Sequence, residues 1–409
     1  VNHVVAGRLA LVFLLTMTAA CALAEPAAIT LPADPPALRS VELVEQWRIG
    51  GEDDEDILLG VIFDGKVGAN GDVYLIDRQL SQVLVISPDG ELVTTLGRQG
   101  DGPGELNNPH GLIMLGDGKV GVIQGFPGKV IVINPDDTPG GEIHVGGSAE
   151  EGGFNFVRSL VKCDDHLVGT RGRATFDMET AKSVSTNILA IMDLEGADQV
   201  VVLEDTQESD MQRRVFDEEA EFSEMNEWAA GAGALYTAPV RDDYVINVRN
   251  LDGDLVRVMS RPFTTRQRDD EDKAAMTNGM IIVMNGARQE IENKALDTDP
   301  AIMGLYVAAD GRLYVRTCYD QEGLYDTGTA GRFDVISPDG AFVEQLTLTV
   351  PGFDGDSDRL VFMDGVNYLV IRNFDQAQQA MMAGFGDTDE EEEDLGDAEP
   401  LEVVFYRIP

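Results

Sequence analysis

The chain has 409 residues, 43% of them hydrophobic, and carries 30 Lys and Arg against 73 Asp and Glu, a formal charge of −43. That much apolar content excludes global disorder. The charge argues against nucleic acid or an anionic membrane as partner, because both are bound through cations that release counterions.

In chain order, VNHVVAGRLALVFLLTMTAACALAEPAA is expected to be a secretory leader. It has an early cation (Arg8), an apolar core from Leu9 to Met17 too short to span a bilayer, and the cleavage triplet Ala22-Leu23-Ala24. Lipid attachment at Cys21 is the alternative, disfavoured by Thr18 three residues before it. The expected mature protein is therefore exported, periplasmic or extracellular, with no transmembrane segment; a lipoprotein is the second option. Residues 25–40 are expected to be a linker and 41–409 the folded domain. The remaining cysteines, Cys163 and Cys318, are too few for a disulfide framework and read as buried thiols.

From Val41 onward the chain repeats itself. VLVISPDGELVTTLG (Val83–Gly97) returns as FDVISPDGAFVEQLTL (Phe333–Leu348), with weaker copies beginning at Val130, Ile188 and Tyr244. Each is a strand, a Pro/Asp/Gly turn and a second strand; Asp-Gly suits the tight turn. Upstream of each copy lie two more short strands, as in LLGVIFDG followed by GDVYLIDRQ. Six such units fit the chain, and their spacing suits the blades of a β-propeller. The sixth is one strand short, and VELVEQWRIG (Val41–Gly50) is free to supply it, closing the circle and removing both exposed edges. The expected fold is all-β: a six-bladed β-propeller closed by an N-terminal strand, with a small helical insertion between blades four and five.

Gly97–Leu106, GRQGDGPGEL, joins the outer strand of the first unit to the inner strand of the second. Phosphate-binding glycine loops open a helix, and none follows here, so its glycines are read as a connector. With its sequel NNPHGLIML and with YLIDRQLSQVLVISPDGE, it resembles the repeat of NHL-type and related bacterial six-bladed propellers. The resemblance is good over Asp56–Asp137, fair over Ile302–Leu348 and faint elsewhere. It implies the fold and no single chemistry, since the family hosts binding scaffolds, lactonases and lyases.

Three segments are not blade. Thr264–Ala295 is expected to form one or two helices packed through Met276, Ile281, Ile282 and Met284, and Glu204–Met225 to hold a helical turn. The acidic run Phe385–Pro400 reads as a solvated loop.

Propeller chemistry concentrates on the face where inner strands begin and second strands turn into third. Arg78, Arg171, Arg173, Arg241, Arg316 and Arg372 fall near those turns, and His110 opens an inner strand there. A ring of guanidinium groups would hold a carboxylate, sulfate or phosphate; the bland alternative pairs each Arg with a neighbouring Asp. His144 and His166 fall elsewhere, which argues against a three-histidine zinc site. No cofactor signature is evident. Calcium alone is left open, by likeness to lactonase-type propellers, with Asn107, Asn108, Asp242 and Asp320 as candidate ligands that no spacing singles out. Serine-nucleophile and dinucleotide motifs are missing. The expected function is a binding or scaffold module for a protein, peptide or anionic small molecule; the alternative is a metal-dependent lactonase, lyase or hydrolase acting at the axial mouth.

Overall fold

The computed structural model describes residues 25–51, 57–146, 153–177, 179–210, 215–277, 283–284, 287–288, 292–320, 328–383 and 400–409. The leader with Cys21, and the acidic run at 384–399, lie outside the described residues. Six antiparallel sheets follow one another as the blades of a β-propeller, each laid down from its inner to its outer strand.

Blade one is Ile62–Val67, Val73–Asp77, Gln82–Ile86 and Leu92–Leu96; blade two is Pro109–Gly116, Lys119–Gln124, Lys129–Ile133 and Pro139–His144. Blade three is Gly153–Cys163, His166–Asp177, Lys182–Met192 and Asp198–Asp210. Blade four is Trp228–Gly231, Ala234–Thr237, Val245–Asn250 and Leu255–Ser260; blade five is Ile302–Val307, Leu313–Thr317, Thr329–Ile336 and Phe342–Thr349. Blade six takes Arg359–Phe362, Asn367–Arg372 and Glu402–Arg407 from the end of the chain and Val44–Gly50 from its beginning.

The middle strands are apolar without alternation because each sheet is covered on both faces: all five residues of Val73–Asp77 are buried. Six apolar clusters fill the six seams between blades, the last uniting Trp47 and Phe405 of blade six with Ile62 and Leu84 of blade one. The repeated SPDG turns work alike. Gly90 and Gly340 take φ +88° and +92°, and each donates its N–H to the serine carbonyl three residues back.

Ring closure is antiparallel, Val44 opposite Arg407 and Gly50 opposite Glu402, with the Trp47 ring stacked on Phe405 at 5.1 Å. The stretch at 25–40, expected as a linker, contains strand. Ala27–Thr30 lies parallel on the outer strand of blade four, and Leu38–Glu42 parallel on that of blade five. The N-terminal segment is thus a belt around blades four, five and six.

The connector at 97–108 folds on itself. Leu106 is fully buried and donates its N–H to the Arg98 carbonyl, and a side chain at Gly100 would run into the Glu105 carboxylate, 2.1 Å from its Cβ.

Among its described residues, the insertion between blades four and five holds one six-residue helix, Asp270–Ala275, capped reciprocally by Asp269 and Asp272. Ile281 and Ile282 lie outside the described residues. The preceding insertion continues the long outer strand of blade three and then turns through Glu218–Glu221. The two insertions meet where Val215–Asp217 runs parallel to Glu292–Lys294. Charge clasps them together: Arg268 donates to Glu218 (2.7 Å) and Asp299 (2.6 Å), while Arg266 pairs with Asp299 and Asp272. A ten-residue helix, Phe374–Ala383, follows the second strand of blade six, with Phe374 and Met381 buried in the seam with blade one. Among the described residues, no helix is long and apolar enough to cross a membrane, and Cys163 and Cys318 are free and buried.

Candidate functional site

At the end of the axis where inner strands begin, four blades share one irregularity. The pairing of inner and second strands slips by a residue between Ile62 and Asp64, Pro109 and Gly111, Val157 and Ser159, and Ile302 and Gly304. The residues left over are Phe63, His110, Arg158 and Met303. Such a bulge frees one side chain from the strict alternation that would bury it in a seam, and re-aims it. In blade six the inner strand opens on Arg359, and in blade four Glu227 immediately precedes it.

These groups meet at blades six, one, two and three. The guanidinium carbons of Arg78 and Arg359 lie 5.2 and 5.0 Å from the centre of the Phe63 ring, and Arg359 also lies 4.8 Å from that of Phe374. Arg78 donates from Nε to Asn108 Oδ1 at 2.7 Å. Arg158 rests 5.1 Å from the Phe156 ring centre, and its Nε donates to Asn187 Oδ1 at 3.4 Å. Among the described residues, none of the three forms an ion pair with a carboxylate. Burial depresses the pKa of Arg78 and Arg359 below the ordinary guanidinium value.

His110 donates from Nε2 to the Arg158 carbonyl oxygen at 3.2 Å. Burial first, and the Arg78 charge with it, lower its pKa, against the pull of that carbonyl and of Asp64. The imidazole is accordingly neutral at pH 7. Asp64, held by Lys66 at 3.0 Å, is the nearby acid that both His110 and Arg359 feel. Glu227 is the other unusual carboxyl: burial pushes it up to about 7 despite Arg316 nearby.

Four of the remaining arginines go elsewhere. Arg171 turns into the seam between blades two and three, pairing with Asp198 beside Gly146. Arg173 sits on the second strand of blade three, opposite Asn155 and Thr186. Arg241 is buried in the insertion clasp with Glu218, Asp242 and Thr298. Arg372 is taken up by Asp358 and the Gly352 and Pro351 carbonyls. Arg316 stays near the mouth, opposite Gly304 in blade five and close enough to act on Glu227. The structure therefore joins Arg78 and His110 with Arg158 and Arg359, two residues that reading the turns alone passes over. A lone Arg at the start of a strand looks like a solvated end, and no local signal announces that Phe63 will stack on it.

Of the candidate calcium ligands, Asn107 binds Asp101, Asn108 accepts from Arg78, Asp242 serves the clasp, and Asp320 ends a short turn in blade five. Among the described residues, no group of three or more His, Cys, Asp or Glu side chains is placed to hold a metal ion.

No family model matches the chain, and no curated protein does. Several solved structures resemble it at low identity. A Bacteroides fragilis protein described as exported is 12% identical over 94% of this chain and 100% of its own, with a TM-score of 0.46. A gluconolactonase of Xanthomonas campestris is 13% identical over 94% and 99%, TM-score 0.39. A calcium-binding regucalcin of Agrobacterium tumefaciens is 10% identical over 90% and 97%, TM-score 0.36.

Proposed function

We propose that this NHL-like propeller is an exported binding module whose axial mouth captures an anionic small molecule. One observation carries the reading: in a chain of charge −43, Arg78 and Arg359 converge on the Phe63 ring at the mouth, Arg158 borders His110 beside them, and none of the three is ion-paired with a carboxylate among the described residues. Asp64 and Asp375 act on Arg359 without an ion pair, and Lys66 holds Asp64, so the three guanidinium groups leave a local positive field. A ligand carboxylate, sulfate or phosphate would complete it with charge-assisted hydrogen bonds worth about 1.5–3 kcal/mol each. Phe63 and Phe374 hold Arg359 in place beforehand, which reduces the entropy lost on binding. Calorimetric titration of sulfate, phosphate and small carboxylates into the wild type and Arg359→Ala tests the reading; equal affinity in both overturns it.

Glu227 favours a second reading, a lactonase, lyase or hydrolase at the same mouth. A carboxyl near 7 is matched to proton transfer at neutral pH. Its test is separable: Glu227→Gln would abolish turnover while leaving anion binding intact. Whether that chemistry uses calcium or another divalent ion is answered by metal analysis of the purified protein. Export rests on the leader read at residues 1–24. Mass spectrometry of the mature N-terminus distinguishes release, giving Glu25, from a lipid-modified Cys21.

A further inference from the structure

Blade three stands taller than the rest. Its strands have 11, 12, 11 and 13 residues. Those of the other blades have 4 to 8. At about 3.3 Å per residue, its sheet rises roughly 15–20 Å further. Where it meets blade two, three phenylalanines touch. Phe154 of the inner strand stacks on Phe176 of the second strand, ring centres 5.2 Å apart and planes 20° apart. It also meets Phe126, in the second-to-third-strand turn of blade two, edge-on at 5.2 Å and 87°. Phe126 is 63% and Phe176 43% exposed.

The ladder is continuous with the mouth. Gly125, next to Phe126, is so close to His110 that a Cβ added there would lie 3.0 Å from the imidazole. Phe156, two residues along the strand from Phe154, carries the Arg158 guanidinium.

We infer that the ladder is a second subsite of the same cleft, taking the flat face of a sugar ring in an acidic oligosaccharide whose anionic group sits at Arg78 and Arg359. This rests on the anion reading of the mouth. Size speaks against a protein partner: the exposed ring surface is roughly 200 Å² at about 200 Å² per phenylalanine, whereas a stable interface needs about 800 Å² per partner. Chemistry speaks for a sugar. A pyranose presents C–H groups on its face and hydroxyls at its edge, so stacking desolvates carbon and leaves the hydroxyls in water.

The test is a calorimetric titration with galacturonic acid and its oligomers up to the hexamer, with sulfate as probe of the mouth alone. The hexamer is expected to bind about tenfold tighter than the monomer, and Phe154→Ala or the more exposed Phe176→Ser to remove most of that gain while sulfate affinity holds. No gain with length, or a gain that survives in both variants, overturns the sugar subsite and leaves the anion reading standing. Sulfate affinity indifferent to Arg359→Ala overturns the reading beneath it. Tighter, Phe154-dependent binding of an acidic aromatic peptide would reassign the ladder away from sugar.

Discussion

Arg78 and Arg359, from blades one and six, share the Phe63 ring, their guanidinium carbons 5.2 and 5.0 Å from its centre. Two like charges converge there because the ring's π face offsets part of their lost hydration, each contact contributing about 0.5–2 kcal/mol. Phe63→Leu keeps an apolar filler in the seam and removes the π face. It is expected to lower sulfate affinity about three- to tenfold while the melting temperature moves little, as read by calorimetry and thermal melts.

Arg372 and Arg359 provide an internal contrast. Arg372 neutralises Asp358, whose side chain is 4% exposed, so Arg372→Ala strands a buried carboxylate and is expected to cost about 3 kcal/mol of stability. Arg359→Ala has no such partner to strand; its loss is expected to appear in anion binding. Denaturant unfolding and anion titration of the two variants check the crossing of effects.

Glu227 predicts a pH dependence of stability. Its folded pKa is about 7 against an ordinary 4.5, so between those values the unfolded chain releases a proton that the folded one keeps. Its contribution is intact below 4.5, declines as pH rises, and is fully lost above 7, by about 3 kcal/mol at 1.36 kcal/mol per unit. Glu227→Gln should therefore match the wild type near pH 4 and exceed it near pH 8 in urea unfolding.

His110 moves oppositely. Its folded pKa lies below the ordinary 6.5, so acidification through that range favours the unfolded chain, which takes up the proton more readily. An anion at Arg78 would offset the repelling charge. The imidazole titration, followed by NMR, is expected to start below 6.5 and shift upward when sulfate is added.

What the sequence revealed and what it hid separate by range. SPDG turns and short apolar strands are local, so six blades and a closing strand within Val41–Gly50 were legible in the sequence; the strand that closes the ring is Val44–Gly50. The belt was not: Ala27–Thr30 and Leu38–Glu42 are four and five residues long among prolines, and Leu38 remains 77% exposed. The helix Phe374–Ala383 left a missed signal, with Phe374, Ala377 and Met381 on one face among good helix formers. For the site, the turns gave Arg78 and His110. Arg158 depends on a bulge set by pairing with the second strand of its own blade, and Arg359 on a ring supplied by the neighbouring blade, and no short window contains either.

Anion capture is tested most directly by sulfate titration of the wild type and the Arg78→Ala/Arg359→Ala double variant at low and high ionic strength. Saturable binding to the wild type that weakens with salt and falls at least about a hundredfold in the double variant, with melting preserved, is the predicted result. No binding to the wild type, or equal binding by both proteins, would contradict it.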